Sequence, residues 1–553
     1  MKKLLSCLLS LALMAALATM PASAAYSDVP AGSSLAAEVQ KAVDYGLMNG
    51  YSATAFGYAD PMTRAQFVTV VGRMLGWFST NANVTMWRIP EAMEVPSDLS
   101  AAYLYAIEQA AERDAVDTGV PFRPLDPITR GEMAEILVRA LGLGGAAALA
   151  EKNAVLPFTD VTEGRGYISV AYDIGMTKGT SAATFGPDQT ATRSQAAAML
   201  VRIYEKLHQD TAFLHGFYAI SSYSQIGLLP SMDAVSVGWS RMTWDGTTAL
   251  LSTTSADGNE YAVPSGYDEV VAQADNSSVA LHLNVFMEGE ELKDLLSSAE
   301  GRSQAVEQIL NELTVSYKTV GKNPYDGVTI DFEGLRSASR AGFDQFLTAL
   351  SERVRDLGKS LYVCVSPALT TGSYYDGYDL GRIAALADKV ILMAYDYEDR
   401  NMPAAARATS AAPTSPMDQV YWSLRTAVET VSAAGQDTDK LMLGLSCKNV
   451  AWKVTSAADL TLDASAPFYI SNDTLAQRLG QNSTTRGRSQ TYQCPYAVYT
   501  TEDGSTYFVW YDDADSIQAR INTARLLGIT GVSVWRLGTV PAYENWSWTE
   551  VLT

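Results

Sequence analysis

The sequence predicts an α/β fold with a parallel sheet, of the (β/α)8 barrel kind, preceded by a mainly α-helical repeat module. Three observations carry this reading. From Phe213 to Thr553, β-branched and aromatic runs alternate with helical patterns, as in a parallel sheet covered by helices. The strand-like runs number eight, the count that closes such a barrel. Residues 25 to about 205 instead carry one segment written three times, which marks a repeat architecture.

At the N-terminus, Lys2 and Lys3 precede the apolar run Leu4 to Leu17, and Ala22-Ser23-Ala24 offers small residues for cleavage before Ala25. Residues 1–24 therefore read as a secretory signal peptide, with a retained anchor as the alternative. Cys7 lies too early in the run for a lipoprotein cysteine. No later segment has a long uninterrupted apolar run, so no membrane insertion is expected after cleavage.

The chain has 553 residues, 47% of them hydrophobic, which is enough for two or more globular parts with sizeable cores. Its formal charge of −21 argues against nucleic acid as a partner, and against bulk attraction to an anionic wall or membrane. Any attachment to a wall has to run through specific contacts. Beyond the signal, Cys364, Cys447 and Cys494 are odd in number and lack metal-like spacing; Cys364 and Cys447 read as buried thiols. The histidines His208, His215 and His282 do not cluster along the chain, so no metal site and no cofactor is expected.

The repeated segment reads Phe56-Gly57-Tyr58-Ala59-Asp60-Pro61-Met62-Thr63-Arg64-Ala65-Gln66, then Phe122 to Glu132, then Phe185 to Gln195. Each copy is a turn followed by a helix start. Thr63, Thr129 and Thr192, with Gln66, Glu132 and Gln195 three residues later, form capping boxes, and the positions that follow keep helical spacing. Each threonine is followed by an arginine, Arg64, Arg130 or Arg193. A cation in the first helical turn opposes the helix dipole. Beside free helix N–H groups it also makes an anion-attracting site; the alternative is that each arginine pairs with a neighbouring acid.

The three copies resemble S-layer homology domains. Tyr26-Ser27-Asp28-Val29 and Phe158-Thr159-Asp160-Val161 open the first and third as that family does, while Pro96-Ser97-Asp98-Leu99 opens a degenerate second. The boundaries read as 25–84, 85–150 and 151–206. The resemblance implies a pseudo-threefold helical module that binds a secondary cell-wall polymer through Arg64, Arg130 and Arg193, and hence a secreted protein held at a bacterial cell wall or surface. No Pro-, Gly- or Ser-rich linker separates the third copy from the strand pattern that starts at 213.

The eight strands are expected at 214–219, 234–239, 279–286, 327–333, 360–366, 389–395, 441–445 and 531–535. The segment from 449 to about 508 is too long for a simple connection and reads as an insertion. The central stretch is Asp326-Gly327-Val328-Thr329-Ile330-Asp331-Phe332-Glu333. Strand periodicity puts Val328, Ile330 and Phe332 on one face and Thr329, Asp331 and Glu333 on the other. Two carboxyl groups on the inward face of a buried strand raise each other's pKa, so one keeps a proton to donate near neutral pH, and Glu333 is the candidate donor. A surface strand with two solvated acids is the alternative.

This stretch resembles the D-x-x-D-x-D-x-E signature of the family 18 glycoside hydrolases. Asp326, Asp331 and Glu333 match the first, third and fourth acids, and Thr329 stands where the second is expected, as in the branch with spore-cortex peptidoglycan N-acetylglucosaminidases. Val509 to Ala514 also resembles that branch. Met393-Ala394-Tyr395-Asp396 resembles the family's Met-x-Tyr-Asp strand end, and Trp535 its tryptophan floor under the reacting sugar. A satisfied polar pair and a core tryptophan are the respective alternatives. Tyr218, Trp239 and Asn284, at the ends of earlier strands, are further candidates to line the cleft.

The resemblance implies a retaining, substrate-assisted mechanism with Glu333, Asp331 and Tyr395 as catalytic groups and Asp396 as a sugar ligand. Asp331 is expected to ionise more easily beside Thr329 than beside a second acid. The implied function is hydrolysis of β-1,4 bonds in an N-acetylglucosamine polymer, with peptidoglycan ahead of chitin. An inactive lectin-like barrel and a structural surface-layer protein are the readings from other classes, and the intact acid pair weighs against both.

Overall fold

The computed structural model describes residues 26–78, 87–256, 261–368, 376–397, 412–456, 460–463, 465–541 and 548–552. The signal-peptide reading lies outside them. The chain forms two compact units: Met1–Ala140 with Leu156–Gly164 and Met176–Glu205, and Leu141–Val155 with Arg165–Gly175 and Lys206–Thr553. The third repeat is thus divided. Its helix Arg165–Asp173 belongs to the second unit, where Asp173 accepts Arg425 Nε at 2.6 Å and Tyr421 Oη at 2.8 Å from the helix Met417–Ala433.

In the first unit, all three capping boxes form. The helices Arg64–Met74, Arg130–Ala140 and Arg193–Leu207 begin directly after the threonines. Thr63, Thr129 and Thr192 donate their amides to Gln66 Oε1, Glu132 Oε2 and Gln195 Oε1 at 3.1, 2.9 and 3.1 Å, and the threonine hydroxyls accept in return. The copies close on one another through backbone. Met62 N donates to Ala191 O, Ala191 N to Ile128 O, and Ile128 N to Met62 O, a ring of three bonds that uses each copy once. Asp28 and Asp160 each cradle the turn of their own copy by accepting amides of Phe56-Gly57-Tyr58 and of Phe185-Gly186. In the degenerate second copy, Phe122 N goes instead to the Met93 carbonyl.

In the second unit β1 (Phe213–Tyr218) and β2 (Ala234–Trp244) run parallel, and β3 (Ala249–Ser252) returns antiparallel to β2. Next come β4 (Ala280–Met287), β5 (Gly327–Phe332), β6 (Ser360–Val365), β7 (Lys389–Leu392) and β8 (Leu441–Ser446). The insertion follows as β9 (Asn449–Ser456), β10 (Thr461–Leu462), β11 (Phe468–Ile470), the helix Asn472–Leu479, β12 (Thr485–Ser489), β13 (Cys494–Thr500) and β14 (Thr506–Trp510). β15 (Gly531–Trp535) ends the sheet.

All eight expected strands form, and parallel pairing of β1 with both β15 and β2 closes them into a barrel. The insertion is an antiparallel sheet that uses strand alternation on both faces. Val450, Trp452 and Val454 pack with Phe508 and Trp510 on one face, while Ala451 and Val509 meet Leu475 and Leu479 of the covering helix on the other. No helix among the described residues is long and apolar enough to cross a membrane.

Aspartates just before three strands tie the barrel's lower rim in the same way. Asp233, Asp326 and Asp388 each accept the amide of the second residue of the preceding strand, Leu214, Leu281 and Leu361, at 2.8 to 2.9 Å. Asp326 is therefore a structural support at the opposite end of β5 from Glu333. Above this rim a polar network runs beside the apolar interior cluster of Phe217, Tyr362, Ile391 and Met442. His215 Nδ1 meets Ser533 Oγ at 2.7 Å and its Nε2 meets Ser236 Oγ at 2.8 Å. Ser236 Oγ meets Thr329 Oγ1 at 2.6 Å, and Thr329 Oγ1 meets His282 Nδ1 at 3.4 Å. His282 Nε2 ends the chain on Ser360 Oγ at 2.8 Å. Two of the three histidines, scattered in sequence, thus share one network, because β1 and β4 flank β2 and turn them to one interior. Burial holds both imidazoles neutral by lowering their pKa, that of His282 to about 3.

Gly327 answers to this network. A Cβ there would lie 2.5 Å from the His282 ring and closer still to the Ser360 carbonyl. Gly327→Ala should lower stability by about 2 kcal/mol, read as a reduced denaturation midpoint, because neither backbone nor buried ring can yield.

Candidate active site

The site is built at the mouth of the barrel by residues that β4, β5, β7, β8 and β15 deliver. Asp331 is the last inward-facing residue of β5, 2% exposed. Glu333 follows the strand, and its amide continues the ladder by donating to the Met287 carbonyl at 2.9 Å. Gly334, at φ +72°, then turns the chain away, a conformation that glycine adopts without steric cost. Asn284 of β4 donates Nδ2 to Asp331 Oδ2 at 3.3 Å, and the Cys364 thiol of β6 is a second donor to that carboxyl.

Thr329 lies one inward position below. Its hydroxyl is engaged with Ser236 and His282, so the position that the signature gives to an acid belongs here to the neutral network. Burial nonetheless pushes the Asp331 pKa up, against the pull of Asn284 and Cys364. Glu333 is pushed up further, first by burial and then by the charges of Asp331, Asp396 and Glu288, with Lys448 opposing.

Tyr395 is buried beyond β7, and its ring lies so close to β8 that a Cβ at Gly444 would sit 3.1 Å from its Cε1. Burial pushes its phenol up, and Cys364 and Asp331 add to the shift. Asp396 adopts φ +61° and is held in three ways. Its amide donates to Thr414 Oγ1 at 3.0 Å, Thr414 Oγ1 donates to its Oδ1 at 3.2 Å, and Lys448 Nζ donates to both of its oxygens at 2.6 and 2.7 Å. Lys448 also stands over the Tyr469 ring at 5.1 Å, so the insertion reaches this ion pair. Trp535, at the end of β15, packs edge-on against Phe217 at 5.0 Å and keeps part of its surface open.

The strands bring Asp331, Asn284, Glu333, Tyr395, Asp396 and Trp535 to one end of the barrel. They do not bring Tyr218 and Trp239. Phe217 takes the inner face of β1, so Tyr218 points outward by alternation; it is 2% exposed, and burial pushes its phenol up to about 12. Trp239 falls in the register shift between Val237 and Ser240. Fully buried, it packs on Tyr267, the first residue of the outer helix Tyr267–Ser277, and on Tyr325. Neither ring offers a face to a ligand in the barrel. Sequence reasoning missed Thr414 and Lys448, which are polar residues without a motif, and Cys364, which it placed in the core without its neighbour Asp331.

Each of the three arginines of the first unit stands first in its helix and is buried. Arg64 NH2 bonds Glu132 of the second copy, which is the acid-pairing alternative. Arg130 Nε instead donates to the Phe185 carbonyl at 2.8 Å, and Arg193 to the carbonyls of Phe56 and Asn49 at 3.1 and 2.7 Å.

Among the described residues no group of three His, Cys, Asp or Glu is arranged to hold a metal ion. What the mouth of the barrel can do is hold a proton on Glu333 beside an anchored carboxylate and a buried phenol, next to an open indole. That is the equipment for acid catalysis on an uncharged ring with an apolar face.

A family model described as Glycosyl hydrolases family 18 matches residues 219–539, more than half of the chain. The S-layer homology domain matches three times, at 25–68, 96–134 and 157–197. The cortical fragment-lytic enzyme of Bacillus subtilis (strain 168) is 26% identical over 242 residues, 43% of this chain and 52% of that protein. That of Bacillus anthracis is 23% identical over 249 residues, 43% of this chain and 54% of that one. The chain spans about half the length of the curated relatives it matches. A crystal structure of the spore cortex-lytic enzyme SleL of Bacillus megaterium QM B1551 aligns at 17% identity over 62% of this chain and 74% of that one, with a TM-score of 0.48.

Because the Glu333 pKa is raised on folding, the folded chain holds that proton more tightly than the unfolded one. The linked stability is present below the ordinary glutamate range and is lost as pH rises through the folded value. Glu333→Gln should therefore be more stable than wild type to denaturant at pH 8, with the difference gone by about pH 4.

Proposed function

As a member of glycosyl hydrolases family 18, this chain is a glycoside hydrolase, and we propose that it is a wall-anchored peptidoglycan N-acetylglucosaminidase. The observation that carries the catalytic part is the placing of buried Asp331 and half-buried Glu333 together at the barrel mouth. It keeps Glu333 protonated at a pH where an exposed glutamate has lost its proton. The S-layer homology domains support attachment to the cell surface, and the cortical fragment-lytic relatives support peptidoglycan as the polymer.

In this reading Glu333 gives its proton to the glycosidic oxygen as the bond to the leaving sugar breaks. The carbonyl oxygen of the substrate's own 2-acetamido group attacks the anomeric carbon and closes an oxazolinium ring. Asp331, oriented by Asn284 and Cys364, accepts the N–H of that ring, and the Tyr395 hydroxyl donates to its oxygen. Glu333, now ionised, takes a proton from the water that opens the ring, which returns the enzyme to its starting state with retained configuration. Asp396, clamped by Lys448 and Thr414, holds a sugar hydroxyl, and the open face of Trp535 is the floor for the reacting ring.

The charges near Glu333 favour a second reading. Asp331, Asp396 and Glu288 surround it with Lys448 as the opposing cation, which suits a neutral chitin-type glycan better than a lactyl-bearing one.

Mass spectrometry of products from purified peptidoglycan and from chitin oligosaccharides separates the two. Soluble muropeptides with a reducing N-acetylglucosamine end, absent with Glu333→Gln, are the expected result. Chitobiose alone would move the substrate to chitin, and glycan binding without products from either would make the barrel a lectin.

A further inference from the structure

One inward side chain at the barrel mouth is a cation that the mechanism above does not use. Counted by alternation from Ser236, which meets His215 inside the barrel, Arg241 of β2 would fall on the outer face. The pairing of β2 with β4 shifts by one residue between Val237 and Ser240, which stand opposite Leu283 and Val285. The extra residue reverses the count and brings Arg241 into register with Phe286. Phe286 shares the inward face of Asn284, the donor to Asp331, and is itself in register with Asp331 on β5. Arg241 and Asp331 thus face inward at the same height, two strand spacings or about 10 Å apart.

The guanidinium is held without being neutralised. Its Cζ lies 5.8 Å from the ring centres of both Phe286 and Tyr261, which stack on each other at 5.0 Å. Rings beneath a guanidinium fix its plane and leave its N–H edges to donate. Among the described residues Arg241 has no hydrogen bond or ion pair, whereas Lys448 at the same end is bound to both oxygens of Asp396. The mouth also carries Asp331, Glu333, Asp396 and Glu288. A cation that pairs with none of them is open to an acid that arrives with the substrate.

We propose that Arg241 determines specificity by binding a carboxylate of a muramyl unit, either the free lactyl group or one on the stem peptide. This rests on the peptidoglycan reading above. The polymer alternates, so an N-acetylglucosamine in the reacting position has a muramyl neighbour on either side. The acids around Glu333 repel a carboxylate there, and Arg241 supplies the local attraction that offsets them. A chitin-type glycan carries no group that calls for this cation.

The test compares kcat and KM of the full chain on peptide-bearing peptidoglycan strands, on the same strands stripped to free lactyl groups by an amidase, and on chitin oligosaccharides. Arg241→Gln should raise KM about tenfold on the strands that supply the carboxylate, and lower kcat/KM on them relative to chitin oligosaccharides by the same factor. Arg241→Lys should recover part of that loss. A loss on the stripped strands assigns the lactyl carboxylate, and a loss on the peptide-bearing strands assigns the stem peptide. Amidation of the strand carboxyls should reproduce the loss with the wild-type enzyme, independently of any effect of substitution on folding. An equal loss on chitin oligosaccharides, or an unchanged KM on both kinds of strand, overturns the role of Arg241 while the peptidoglycan reading stands. No cleavage of either strand by wild type overturns the peptidoglycan reading and this assignment with it.

Discussion

A closed parallel barrel turns half of each strand into a space that bulk water does not fill, and each polar atom placed there has to find its partner within the protein. The catalytic end of this molecule rests on that constraint. Between the aspartate ties of the lower rim and the acids at the mouth lies a layer in which Ser533, His215, Ser236, Thr329, His282 and Ser360 satisfy one another with no net charge. An ionised carboxylate at 329 would sit among two imidazoles that burial keeps neutral and would favour adding a proton to one of them, against that burial. The threonine that departs from the family signature is thus one member of a layer whose neutrality it helps to keep.

The neutral layer isolates the acids above it. Asp331 meets Asn284 and Cys364, donors that hold a carboxylate without neutralising it, and its charge acts on Glu333. Lys448 is placed to limit that effect. It is occupied by Asp396 and Tyr469, so it tempers the field at Glu333 without pairing with it. The proton on Glu333 is therefore held first by burial and then by neighbouring charges, and the insertion touches one of these, Lys448, through Tyr469.

Much of this architecture was legible in the sequence, and the limits have physical causes. β5 could be read residue by residue because alternation with period two assigns a face to each side chain once one face is known. The same rule fails for a residue chosen only for its place at a strand end: Tyr218 is one residue from the inward Phe217, and Trp239 sits where an irregular register interrupts the count. The Asp396–Lys448 pair joins residues 52 apart whose approach depends on the parallel pairing of β7 with β8. The capping boxes were legible because they are local, whereas the partner of each arginine depends on the neighbouring copy and differs among the three.

The ring of amides that links Met62, Ala191 and Ile128 bears on how such a module can change over time. Each copy supplies one donor and one acceptor to a cycle of three, so deletion of a copy leaves an open donor and an open acceptor on the survivors, and a tandem duplication has no place to insert. Drift is correspondingly free within a copy and barred in copy number. The second copy could lose its opening motif while still supplying its link in the ring, which explains how a degenerate repeat persists where an absent one would not.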